Sequence, residues 1–102
     1  MKAIELTEDL RRVARRCVWF KPPEEAAACP EHFVAHVLTF GTHEDVKALR
    51  RQFSDAELIE AMDNAPGGVF DARSWAYWNL ILGRAEAPAM PRRAFGRDGL
   101  VS

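Results

Sequence analysis

The chain is 102 residues long, 48% apolar, with six Phe, three Trp, one Tyr and a net charge of −1. Such a length supports one domain around one core, and only about 60–70% of the unfolded surface can be buried, so a deep catalytic cavity would compete with that core for the same residues. No stretch approaches the ~18 apolar residues of a membrane span, and Glu5, Glu8 and Asp9 stand where a signal peptide would carry its apolar run, so a cytoplasmic location is expected.

The first element is a helix over Thr7-Glu8-Asp9-Leu10 and onward to Trp19-Phe20. Thr7 is a natural N-cap, and the two acids after it suit the positive end of the helix dipole. Leu10, Val13, Ala14 and Cys17 share one face, while Arg11, Arg12, Arg15 and Arg16 take most of the other. Lys21-Pro22-Pro23 ends the helix, because the residue before a proline is pushed out of helical geometry. Pro23 then opens a short helix over residues 23–29 with Glu24 and Glu25 in its first turn.

Pro30 restarts the chain as a helix in which Phe33, Val34, Val37 and Leu38 are spaced for burial. Gly41 ends it, where a left-handed glycine commonly closes a helix, and Thr42 caps the next one over residues 43–53. Val46, Leu49 and Phe53 point inward there, with Lys47, Arg50 and Arg51 outward. Ser54 and Glu57 form an S-x-x-E capping box, with Phe53 and Leu58 placed as its hydrophobic staple. Asn64-Ala65-Pro66-Gly67-Gly68 stops that helix.

The last helix runs from an Asp71 cap to Gly83, with Phe70 and Trp75 spaced as a second staple. It is apolar almost all round: Trp75, Trp78 and Leu82 share one face, and Tyr77, Leu80 and Ile81 lie on the others. A helix without a polar face is either central to its domain or covered by a partner. Residues 84–102 hold Gly, Ala and Pro with no helical period and read as a mobile basic tail. Nothing alternates with period two. The expected fold is therefore all-α, a bundle of about five helices over residues 1–83 followed by that tail.

Candidate chemistry is sparse. His32 and His36 have the i, i+4 spacing that lets two imidazoles meet one metal, but no HExxH or CxxC pattern supplies further ligands, so no metal site and no cofactor are expected. Cys17 and Cys29 read as reduced thiols. No serine, threonine or cysteine is backed by a base at a recognisable spacing, so the chain reads as a non-enzyme. Charge is uneven: residues 1–21 carry six Lys or Arg against three acids, residues 22–83 four against ten, and residues 84–102 four against two. The candidate contact residues are Arg11, Arg12, Arg15 and Arg16 on the first helix, Tyr77 and Trp78 on the last, and Arg92 and Arg93 in the tail. They fit a protein partner or, as the competing reading, a small DNA-binding regulator that uses the arginine helix on phosphates.

Trp19-Phe20, the run Phe33 to Val46 with Val37-Leu38, Gly41 and Glu44-Asp45, and the segment Ser74 to Gly83 with its aromatic pair before Leu-Gly resemble a family of small uncharacterised bacterial proteins. The resemblance covers about residues 18–83. Genes of that family often lie beside those of AbiEii-type nucleotidyltransferase toxins, which implies an antitoxin or accessory role for a chain that resembles them. On that footing the expected partner is another protein, a toxin from the same operon, with a homodimer and nucleic acid as further partners to weigh and no membrane association.

Overall fold

A computed structural model of the chain describes residues 3–84, 86 and 88–90. Among them are six helices and no strand: α1 (Glu8–Cys17), α2 (Pro23–Ala27), α3 (Pro30–Phe40), α4 (His43–Arg50), α5 (Asp55–Asp63) and α6 (Ala72–Ile81). The fold is all-α, as the periodicity requires, with the short α2 making the sixth helix.

Four of the six helix starts are capped by a side chain, and α2 and α3 instead open on a proline. The hydroxyl of Thr7 accepts from the Leu10 amide, and the Asp71 carboxylate accepts from the Ser74 amide at 2.7 Å. Thr42 and Ser54 each anchor a full capping box, with Asp45 and Glu57 reaching back to the cap amide. These contacts satisfy amides that have no partner inside the helix. The Phe70 and Trp75 rings meet at 5.3 Å across the start of α6, which is the expected staple.

Gly41 corrects one expectation. Its φ is −77° and its ψ 160°, so α3 ends in extended rather than left-handed backbone. Glycine is needed there for space: a Cβ would lie 2.6 Å from the Val37 carbonyl oxygen. The left-handed glycine that closes a helix is Gly83, at φ +90°, and Gly68 takes the same φ in the turn before α6. Its amide donates to Leu80 and the next amide, of Arg84, donates to Asn79 at 2.7 Å, which is the paired closure of a Schellman motif.

The centre of the domain is α3, not α6. Six consecutive residues of α3, Phe33 to Leu38, are buried, and α1, α2, α4, α5 and α6 all pack against it. Phe33, Leu10, Leu49, Leu58 and Met62 are fully enclosed, each contributing about 1.5–3 kcal/mol by leaving water. On α6, Trp75, Trp78, Asn79 and Leu82 are buried while Tyr77, Leu80 and Ile81 stay exposed. A sequence that is apolar all round does not reveal which side is covered.

Among the described residues after α6, Arg84, Pro88 and Met90 contact the domain. Arg84 ties to Asp63, with Nη1 donating to Oδ2 at 3.0 Å, and its guanidinium carbon lies 6.0 Å from the Trp75 ring centroid. The Trp75 indole donates to the Pro88 carbonyl at 2.9 Å, and Met90 packs on the core. A buried indole N–H seeks an acceptor, and the chain after α6 returns to supply one. Residues 91–102, the rest of the expected tail, lie outside the described residues.

Candidate functional site

The arginine face of α1 is largely engaged by the chain's own acids. Arg11 pairs with Glu24 of α2, Arg12 with Asp9 at 2.6 Å, and Arg16 with Asp45 of α4. Arg51, the residue that caps the end of α4, reaches the same Asp9 at 2.8 Å. The Arg11 hydrogen bond is the main cause holding the Glu24 carboxyl below its ordinary range. Arg15 is exposed and makes no ion pair among the described residues.

Asp45 differs from the other acids because it is buried. Its carboxylate accepts from Arg16, from the Thr42 amide at 2.9 Å and from the Cys17 thiol at 3.7 Å. Three donors on one carboxylate make up for the water it has lost. Burial pushes the Cys17 thiol above its ordinary range, with the Arg16 charge opposing, so it is a thiol rather than a nucleophilic thiolate. This cluster fastens α1 to α4, which is a structural task.

On α6 the two aromatic candidates separate. Trp78 is 8% exposed and its indole donates to the Leu38 carbonyl at 2.7 Å, so most of the ring belongs to the core, while its remaining edge lines the cavity beside Tyr77. Tyr77 is 55% exposed, stacked edge-on against Trp78 at 5.2 Å, and continues into exposed Leu80 and Ile81. Beside it lies a mainly apolar cavity of about 360 Å³ between α6 and the α3–α4 corner, lined by Leu38, Thr42, His43, Val46, Arg73 and Tyr77 among others.

A second surface was not legible as such in the sequence. Trp19 and Phe20, in the turn after α1, meet edge-on at 5.6 Å. Phe20 lies 5.5 Å from the His36 ring, and His36 lies 4.1 Å from His32 and 5.7 Å from Phe40. His32, His36 and Phe40 are one turn apart along α3, so the helix repeat itself lines them up. The result is a ridge of five rings, in which Trp19 is 76%, Phe20 49% and Phe40 65% exposed. A cavity of about 340 Å³ opens into it, lined by Arg16, Cys17, Trp19, Phe20, His36 and Phe40.

Within that ridge the two histidines are ring partners. His36 Nδ1 faces the His32 carbonyl at 3.0 Å, and burial, with His36 and Lys21 adding to it, holds the His32 imidazole below its ordinary range. Among the described residues no group of three His, Cys, Asp or Glu is placed to hold a metal ion. The signal that could have pointed to the ridge is the i, i+4, i+8 series of rings on α3 together with a Trp-Phe pair held just before Pro22. The sequence does not show that these two segments meet.

Among the described residues no helix is long and apolar enough to cross a membrane. Arg92 and Arg93 lie outside the described residues. Comparison of the chain with known protein families, with curated proteins and with solved structures gives no match in any of the three.

Proposed function

We propose that the chain is a non-enzymatic protein-binding module of the cytoplasm, where Cys17 and Cys29 would remain free thiols. The observation that carries this reading is the exposed apolar strip of Tyr77, Leu80 and Ile81 beside the cavity against α3 and α4. Large apolar side chains at helical spacing next to a concave surface are the anatomy of an interface centre, and Tyr is among the residues enriched there. Arg73, which lines the same cavity, supplies a polar rim.

The partner we propose is the toxin-like nucleotidyltransferase that the resemblance implies, with this chain as its antitoxin or accessory protein. The competing role, a DNA-binding regulator, has less support, because Arg11, Arg12 and Arg16 are already paired with carboxylates of the chain. Phosphates would have to displace those acids.

Co-expression with the product of the neighbouring gene, followed by affinity capture, tests this reading. The wild-type chain is expected to co-purify with that product and to lower its toxicity, and Leu80→Asp with Ile81→Asp to abolish both while the helix content stays unchanged. Association that survives those substitutions would remove the α6 strip from the reading, and absence of any association would remove the reading itself. Self-association through the same strip would show as a dimer in light scattering that the same substitutions dissolve.

A further inference from the structure

We propose that the ring ridge at the junction of α1 and α3 binds single-stranded nucleic acid, with one base entering the cavity between Phe20, His36 and Phe40. This goes beyond protein binding through α6 and uses a different surface. Two independent observations carry it.

The first is the rings. Trp19, Phe20 and Phe40 are exposed, and successive contacts along the ridge are 5.5–5.7 Å. Bases of an unpaired strand stack on such rings whatever their sequence, because every base has a π-face. A cavity of about 340 Å³ lies within the range of sites that enclose a small planar ligand.

The second is charge. The segment that carries Trp19 and Phe20 reads Arg15-Arg16-Cys17-Val18-Trp19-Phe20-Lys21, so cations flank the rings on both sides. Arg15 is exposed and makes no ion pair among the described residues, although its charge reaches Glu24; Lys21 is close enough to His32 to act on its charge; and Arg16, which lines the cavity, is already paired with Asp45. Of the acids around it, Glu24 and Asp45 are held by Arg11 and Arg16, and Glu31 adjoins His32 at the start of α3. A polyanion with flat apolar faces complements both features at once, whereas an apolar protein helix would leave Arg15 and Lys21 unanswered.

The test is fluorescence anisotropy of labelled oligo-U and oligo-dT of about eight nucleotides, a length that suits such platforms, titrated with the full chain at low salt. Binding is expected for the single strands and weaker binding for a duplex, whose bases are already stacked. Trp19→Ala and Phe40→Ala should each weaken binding roughly 5- to 100-fold, and Arg15→Gln should lower the slope of log affinity against log salt by about 0.7. Since these side chains are exposed, all three variants should keep the wild-type melting temperature within a few degrees. Tyr77→Ser should leave oligonucleotide binding unchanged, which separates this inference from the α6 reading. No binding at low salt, or binding that the two ring variants leave intact, overturns the proposal. So does loss of protein-partner association in Trp19→Ala and Phe40→Ala when no oligonucleotide binds, for the ridge would then be a protein surface.

Discussion

The Nε1 of Trp78 donates to the carbonyl of Leu38 at 2.7 Å, and that single bond fastens α6 to the end of the central helix. Leu38 is in the last turn of α3, where the amide of Gly41 already takes Val37 and the amide of Thr42 takes Asp45 Oδ2. Its carbonyl therefore has no helical partner, and the indole fills that gap. Trp78→Phe keeps most of the packing but leaves the carbonyl unpaired, at an expected cost of about 1–3 kcal/mol. Trp78→Ala adds a cavity and should cost about 3–5 kcal/mol. Urea unfolding of the two variants checks this, and equal costs would show that the bond contributes nothing beyond ring burial.

Arg16 and Arg12 look equivalent in the sequence but hold different acids. Arg12 pairs with the partly exposed Asp9, and loss of such a surface pair costs under about 1 kcal/mol. Arg16 neutralises the buried Asp45, so Arg16→Gln leaves an enclosed carboxylate with weaker partners and should cost about 1–3 kcal/mol. The guanidinium itself is more than half exposed, so Asp45→Asn should be milder than Arg16→Gln. Thermal melts of the three variants rank them. Arg12→Gln falling as far as Arg16→Gln would contradict the burial argument.

How much of this could be read from the chain follows from the range of each interaction. Thr7, Thr42, Ser54 and Asp71 could be assigned because a cap acts over three residues, and the Phe70–Trp75 staple over five. The partner of Arg16 is 29 residues away, so the sequence shows four arginines and not which of them is spoken for. The apolar pattern of α6 could not choose between a central and a peripheral place, and His36 disguised the unbroken burial of α3. The return of Pro88 to Trp75 spans 13 residues that carry no periodic signal. The ring ridge needs two segments to meet, which only the tertiary fold achieves.

The two helix-ending glycines should respond differently to the same substitutions. Gly41 sits in ordinary extended backbone but has no room for a Cβ, so Gly41→Ala and Gly41→Asn both drive a side chain into the Val37 carbonyl and should cost about 1–3 kcal/mol. Gly83 has open space around it but a φ of +90°, so Gly83→Ala should cost about 1–2 kcal/mol. Asn visits left-handed backbone more readily, so Gly83→Asn should recover part of that loss while Gly41→Asn recovers none. Chemical denaturation of the four variants decides it, and a rescue by Asn at position 41 would contradict the steric account.

His32 gives the fold a dependence on pH whose sign is set by its surroundings. Burial comes first, then the neighbouring His36 and Lys21, and all three favour the neutral imidazole in the folded chain. The unfolded chain, with an ordinary histidine pKa of about 6.5, therefore takes up the proton first as pH falls. Its greater proton uptake draws the equilibrium toward unfolding, so stability is complete above about pH 6.5 and declines as pH falls from there toward the lower folded value. His32→Gln removes the titrating group and should flatten this part of the curve while leaving the neutral-pH midpoint little changed. Urea midpoints of wild type and variant, taken on either side of about pH 6.5, measure the difference. If both fall in parallel as the solution is acidified, the slope belongs to another group and His32 is not its source.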